Sequence, residues 1–163
     1  MKYPAPSSQT LIEGVKVKNL TRNYDERGFF EELIRVTDEF FKEGFGQLSH
    51  SFMKEGVTKA WHIHKTQTDW WYVAKGSLWV ALCDMRKVSK TYLRINEFVL
   101  GEDGEDIILK IPPGVAHGCK VLTPTSELFY VTSGVYSTQE EGRIDHDDPT
   151  IGYDWLQQLP RKS

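Results

Sequence analysis

The chain has 163 residues, of which 39% are hydrophobic and 26% charged, and its formal net charge at pH 7 is −3. This length suits one domain built around one core, so we expect a single domain over residues 1–163. No basic block favours nucleic acid or an anionic membrane as a partner. The N-terminal stretch MKYPAPSSQT has no apolar signal region, and no apolar run is long enough to span a bilayer, which makes the cytoplasm the expected location.

In chain order, the first clear element is one short predicted helix in VTDEFFKEGF, residues 36–45. Val36, Phe40, Phe41 and Phe45 can share an apolar face, and Gly44 marks the helix end.

The region that follows is dominated by strand signals. The segments are short, rich in β-branched and aromatic residues, roughly ten residues apart and separated by Gly and Pro turns; they are KAWHIH, DWWYVAKG, SLWVALCDM, YLRINEFVL, DIILKIP, HGCKVLT and ELFYVTSGVY. SLWVALC reads as buried on both faces, so the sheets should enclose a core. We predict an all-β jelly-roll barrel with an added N-terminal β region, and a helical turn in the final segment DDPTIGYDWLQQLP.

The two cysteines, Cys83 and Cys119, lie in apolar strand segments. Buried free thiols in a reducing compartment are the expected state, and a single disulfide is the alternative.

The stretch AWHIHKTQTDWWYVAKG, residues 60–76, raises the question of function. On a strand, His62 and His64 point to one face, which we expect to look into the barrel. Asp69 follows a short polar turn and can return beside them. His117 follows the Pro-Pro-Gly turn of IPPGVAHGC. Taken alone, the His-x-His pair also fits satisfied interior histidines, and His117 fits a structural residue bonded to backbone.

These spacings resemble the two motifs of the cupin family, with Asp in place of the usual Glu. In metal-binding cupins the corresponding residues hold one divalent ion. The resemblance therefore implies one alternative site, formed by His62, His64, Asp69 and His117, that would suit Zn, Fe(II), Mn or Ni.

A second resemblance covers about residues 10–157. The segments DERGFFEE, QLSHSFMKEGVTKAWHIH, IPPGVAHGCKVL, ELFYVTSGVYS and DDPTIGYDW occur in the order found in the dTDP-4-dehydrorhamnose 3,5-epimerase family, the RmlC-like cupins. The RGFF and DP-x-IG-x-x-W segments are its most specific parts. This resemblance implies an isomerase that acts on a nucleotide-linked 4-keto-6-deoxy sugar without a cofactor.

The family resemblance also implies roles for individual residues. His62 would be the base that removes a proton next to the ketone, Asp148 would orient it, and Tyr136 would return a proton on the opposite face. Without the resemblance, Asp148 before Pro149 reads as a turn residue and Tyr136 as a core tyrosine.

Other positions match the family's substrate pocket. Arg27 would meet the nucleotide diphosphate, for which a guanidinium is well suited, although its place before Gly28 also fits a solvated turn. Further pocket positions are Phe29, Glu32, Gln47, Lys59 and His117. The family arrangement also implies a homodimer in which N-terminal strands cross to the partner.

Three parts of the sequence depart from the family pattern. Lys59-Ala60-Trp61-His62 replaces Arg-Gly-Leu-His, His64 replaces Gln, and Asp69 replaces a lysine that meets the developing enolate. At about 5 Å and an effective dielectric of about 20, each unit of charge corresponds to roughly 3 kcal/mol. An ionised Asp69 would therefore oppose the chemistry unless Lys59, Lys65 or a metal compensates. A metal-dependent isomerase or lyase, and a sugar-nucleotide-binding cupin without catalysis, are the alternatives.

Overall fold

The computed structural model describes residues 9–157. Within this range the chain forms twelve strands and one 3-10 helix at Glu39–Phe41. The strands are β1 (Lys16–Asn19), β2 (Asn23–Asp25), β3 (Gly28–Phe30), β4 (Gln47–Lys54), β5 (Thr58–His64), β6 (Asp69–Lys75), β7 (Ser77–Asp84), β8 (Ile95–Gly101), β9 (Ile107–Ile111), β10 (Val115–Val121), β11 (Thr125–Thr132) and β12 (Glu141–Arg143).

Two five-stranded antiparallel sheets form the body of the protein. Sheet 1 has the strand order β1-β9-β6-β11-β4, and sheet 2 has the order β12-β5-β10-β7-β8. Strands β2 and β3 form a separate hairpin. Apart from β7 and β8, the neighbouring strands in each sheet are not consecutive in the chain, as in a jelly roll. The predicted all-β cupin architecture is therefore confirmed.

Strand β7 shows how sheet 2 is buried on both faces. Alternate residues Leu78, Val80 and Leu82 join the main core, whereas Ala81 and Cys83 pack on the outer face of sheet 2. The C-terminal segment covers that outer face with Ile151 and Trp155. The continuous apolar pattern of SLWVALC therefore reflects a strand with no solvent-facing side, as predicted.

The outer face of sheet 1 has a smaller cover. Phe41 packs against Trp70, with ring centroids 4.6 Å apart, and Ile108 completes the cluster. The predicted helix over residues 36–45 was wrong in extent, because only Glu39–Phe41 is helical and both Val36 and Phe45 are exposed. The buried ring of Phe41, with Phe40 partly buried against the same cluster, attaches this segment in place of a longer apolar helical face.

The seven predicted strand segments correspond to β5 through β11, and both cysteines are free and buried, as expected. Residues 147–157 contain turns but no helix, and the rest of the predicted C-terminal helical turn lies outside the described residues. No helix within residues 9–157 has the length and apolarity needed to cross a membrane.

Candidate active site

A cavity of about 210 Å³ opens between the two sheets. Both sheets supply polar side chains to its wall, and β11 and β6 add apolar ones. The lining residues are Gln47, Ser51, Met53, Lys59, His62, His64, Gln67, Asp69, Trp71, His117, Cys119, Leu128, Tyr130, Thr132, Tyr136 and Glu141. The polar part of this wall gathers the residues that the His-x-His stretch singled out.

Strand β5 presents His62 and His64 to the cavity, as the two-residue alternation predicts. Trp61 and Ile63 point the other way and pack in the outer cluster of sheet 2. The pairing of β5 with β10 is irregular. His62 pairs with His117, and regular pairing would then put residue 60 opposite Cys119, but Lys59 lies there instead. This bulge lets Lys59 share the cavity face with His62, three residues later.

Gly118 allows β10 to lie close to β5. A Cβ at this position would come within 2.6 Å of the Ala60 Cβ and 2.7 Å of the Trp155 ring. The absence of a side chain here keeps His117 directly opposite His62 in the sheet.

His62 is paired with Glu141, a residue that the sequence interpretation missed. The distance from His62 Nδ1 to Glu141 Oε1 is 2.9 Å. Burial raises the pKa of Glu141, but the hydrogen bond and the charge of His62 outweigh it, and the pKa lies below its usual value. An ionised carboxylate accepts a hydrogen bond, so Nδ1 carries the proton and Nε2 of His62 is left with a lone pair.

Asp148 does not occupy the position that was expected for it. Its Oδ1 atom accepts a hydrogen bond from the Thr150 amide at 2.8 Å, and it is absent from the cavity wall. The turn that it stabilises leads to Ile151 and Trp155, which pack on the outer face of sheet 2. The structure therefore puts Glu141, not Asp148, against His62.

A second group of titratable side chains lies deeper in the cavity. His64 Nε2 is 3.6 Å, and His117 Nε2 is 3.9 Å, from the same atom, Asp69 Oδ2. One ligand atom from each of these residues lies within 4.8 Å of the others, and His62 is not part of this group. The four-residue metal set of the sequence interpretation is thus divided, with three residues together and His62 paired elsewhere.

The pKa values in this group are set by burial and by the three charges. Burial lowers the pKa of His117 to about 4, despite the nearby Asp69 carboxylate. For His64, burial lowers the pKa, but Asp69 outweighs it and the net shift is upward. Burial raises the pKa of Asp69, and the two histidines outweigh it, so its carboxyl group is more acidic than usual. Burial also raises the pKa of Cys119 to about 12, which keeps this cavity thiol neutral.

Three further predicted residues also line the cavity. The Gln47 Oε1 atom accepts a hydrogen bond from the Tyr136 amide at 3.0 Å, which holds the loop after β11 against β4. The Tyr136 side chain is 62% exposed and reaches the cavity wall, so the core-tyrosine alternative is excluded. Lys59 Nζ donates to Ser51 Oγ at 3.0 Å, across the gap between the sheets. Lys65, the other lysine considered for charge compensation, is exposed and does not line the cavity.

The remaining predicted residues lie on or beside the β2–β3 hairpin, outside the cavity of this chain. The Arg27 side chain is 84% exposed and forms an ion pair with Asp25. Phe29 is exposed, and Glu32 forms an ion pair with Arg35. Within a single chain these groups do not contribute to the cavity wall.

The fold and the cavity define the class of protein, an RmlC-like cupin with a polar pocket between its sheets. The family model described as dTDP-4-dehydrorhamnose 3,5-epimerase matches residues 9–163. The chain belongs to this family and is an isomerase-class enzyme.

Individual relatives agree with this assignment. The chain is 45% identical over 148 residues to the spore coat polysaccharide biosynthesis protein SpsL of Bacillus subtilis (strain 168), covering 89% of this chain and 97% of that protein. A crystal structure of a dTDP sugar isomerase from Desulfovibrio desulfuricans G20 is 27% identical, with a TM-score of 0.84, and the match covers 91% of this chain and 95% of that one. The dTDP-6-deoxy-D-glucose-3,5-epimerase RmlC from Legionella pneumophila Philadelphia 1, in complex with dTDP-4-keto-L-rhamnose, is 26% identical with a TM-score of 0.81, covering 91% and 82% of the two chains.

Proposed function

We propose that this protein inverts one or both carbons next to the ketone of a dTDP-linked 4-keto-6-deoxy sugar. The observation that carries the proposal is the His62–Glu141 pair on the wall of a polar cavity between the sheets. A histidine whose Nδ1 proton is held by a carboxylate presents Nε2 as a base, which is the group that this chemistry needs near neutral pH.

The reaction follows from the acidity of a C–H bond beside a ketone. His62 Nε2 takes the proton, the C–H electron pair forms a carbon–carbon double bond, and the ketone oxygen gains the negative charge. Tyr136 then gives its hydroxyl proton to the opposite face of the same carbon, and the ketone re-forms. Exchange with solvent returns a proton to Tyr136 and removes one from His62, so the net change is the inverted carbon.

The nature of the substrate is supported by relatives. The Legionella enzyme was solved with dTDP-4-keto-L-rhamnose, and the Bacillus subtilis relative is a spore coat polysaccharide biosynthesis protein. We place the present chain in the same kind of process, the supply of a deoxysugar for a polysaccharide, and in the cytoplasm. His62, Glu141 and Tyr136 are the residues that handle the protons in this step.

The proposal is tested by incubating the purified protein with a dTDP-4-keto-6-deoxyhexose and following the sugar protons by NMR. We expect coupling constants of an inverted C3 or C5 to appear in proportion to enzyme concentration. Tight binding of the sugar nucleotide with no change of configuration would instead identify a binding protein without catalysis.

We also infer that the active unit is a homodimer. Strand β4 is an edge of sheet 1, with a neighbour on one side only, and it exposes 57% of Leu48 and 55% of Phe52. The β2–β3 hairpin exposes Phe29 and Phe30 beside Arg27. A long edge strand with apolar side chains favours pairing with a second chain, and such pairing would bring the hairpin's arginine towards the partner's cavity.

Sedimentation of the full chain should therefore give the mass of a dimer. The double variant Leu48→Glu/Phe52→Glu should give a folded monomer, because four added charges in the assembled interface would repel one another. Val88→Glu is the matched control, since Val88 is fully exposed on a turn outside β4, and it should leave the dimer intact. A monomeric parent chain, or a double variant that stays dimeric, would refute this interface.

A further inference from the structure

The deep part of the cavity contains two imidazoles and one carboxylate that do not complete hydrogen bonds with one another. His64 Nε2 and His117 Nε2 approach Asp69 Oδ2 to 3.6 and 3.9 Å. A charge-assisted hydrogen bond between such groups would be about 2.7–2.9 Å. Asp69 and His117 are both buried side chains, and both line the cavity.

The tautomer of His117 makes this arrangement unfavourable without a positive species between the groups. His117 Nδ1 lies 3.1 Å from the carbonyl oxygen of Val115, which can only accept, so Nδ1 carries the proton. Nε2 then directs its lone pair towards the carboxylate of Asp69. Two buried lone pairs that face each other repel, whereas a cation between them would be attracted to both.

We propose that His64, Asp69 and His117 bind one divalent transition-metal ion, and that His62 remains outside this site as the partner of Glu141. Two imidazoles and one carboxylate that bind one side of an ion suit Zn, Fe(II), Mn or Ni, and they leave other coordination positions of the ion open. Ligand atoms about 2.1 Å from an ion in tetrahedral directions are about 3.4 Å apart. The 3.6 and 3.9 Å separations are close to that value, and the three ligand atoms all lie within 4.8 Å of one another.

The surrounding contacts orient the ligands as expected for such a site. The Trp71 indole donates to Asp69 Oδ2 at 3.2 Å, and the Gln67 amide donates to Asp69 Oδ1 at 3.1 Å. The Val115 carbonyl fixes the ring of His117. Proteins usually position metal ligands through hydrogen bonds that a carboxylate accepts from outer groups and that an imidazole N–H donates to them.

The chemical role of the ion, but not its binding, rests on the proposed epimerase function. A cation at this position would neutralise Asp69 and favour negative charge on the ketone oxygen of the substrate, which is the task that an anionic Asp69 alone would oppose. Because His62 is not among the three ligands, the base and the metal site do not compete for one nitrogen. Because His62 lies apart from His64, Asp69 and His117, the base and the metal ion can act in the same reaction.

Metal binding is tested without any sugar substrate. Protein purified without added metal or chelator is analysed for its elements, and chelator-treated protein is then titrated with Co²⁺ by visible absorption and with Zn²⁺ by calorimetry. We expect saturation at one ion per chain. His64→Gln and Asp69→Asn should each weaken binding by at least about 10²-fold. His62→Gln should leave affinity within about threefold, and His146→Ala, at an exposed site, is the matched control.

The variants are compared by circular dichroism and thermal melting, so that loss of folding is not mistaken for loss of a ligand. No saturable binding by the folded parent, or binding that is unchanged in Asp69→Asn, would overturn the proposal. Equal loss in His62→Gln and His64→Gln would overturn the three-residue division. Metal binding without epimerisation would refute the proposed function but support the metal site. Epimerisation by protein that binds no metal would refute the metal site but support the proposed function.

Discussion

His62→Ala is expected to abolish the uptake of solvent deuterium into the substrate. In D₂O the parent enzyme should place deuterium at the carbon that it inverts, because His62 removes the original proton and the Tyr136 hydroxyl, which exchanges with solvent, returns a deuteron. Loss of a positioned general base typically costs about 10²–10⁴-fold in rate. NMR of the recovered sugar nucleotide measures the exchange directly, even if the equilibrium between epimers is unfavourable.

His146→Ala serves as the matched control for this experiment, since His146 is exposed and outside the cavity wall. Its exchange rate should equal that of the parent. Tyr136→Phe should separate the two half-reactions, keeping exchange on the face of His62 while losing inversion, because the ring remains but its proton does not. Undiminished deuterium uptake in His62→Ala would remove His62 from the role of base.

The sequence predicted those parts of the fold and site that depend on local periodicity. Alternation along β5 places His62 and His64 on one face, and the polar turn after His64 returns the chain at Asp69. The Pro-Pro-Gly turn marks the start of β10, where His117 lies two residues into the strand. These features need no knowledge of distant pairing, because strand geometry and a short connection determine them.

Glu141 could not be predicted in this way. It lies 79 residues from His62 in the sequence, on a strand of only three residues whose letters, EGR, show no alternating pattern. Its position depends on the pairing of β12 with β5, where Glu141 lies opposite His64. A carboxylate placed by long-range strand pairing gives no local signal.

Strict alternation along β5 does not account for Lys59, which the family resemblance placed in the pocket; the bulge between β5 and β10 brings it onto the face of His62. One local expectation failed for an identifiable physical reason. The helix over residues 36–45 was predicted from four apolar residues, but Phe41 alone is buried among them. Packing against Trp70 decides this segment, and tertiary contacts override the periodic pattern.

The DP-x-IG-x-x-W segment assigned the chain to the correct family, but the structure does not place its Asp148 carboxylate beside His62. Ile151 and Trp155 pack under Trp61 on the outer face of sheet 2, and Asp148 closes the turn that leads to them. The segment is therefore a packing unit, and its specificity reflects the shape of that outer cluster. Resemblance identified the fold and the enzyme family, whereas the pairing of side chains had to come from the structure.

Glu141→Gln is expected to lower the rate of epimerisation by about 10²-fold or more, and Asp148→Asn to change it by less than about twofold. The glutamine keeps the size of the side chain but removes the charge, and its amide can donate to Nδ1 and so favour the tautomer with its proton on Nε2. In Asp148→Asn the amide oxygen can still accept from Thr150, so the turn is kept. Measuring both variants side by side, with melting temperatures as a check on folding, distinguishes the two carboxylates. A larger loss in Asp148→Asn than in Glu141→Gln would return the orienting role to Asp148 and contradict the 2.9 Å pair as the functional one.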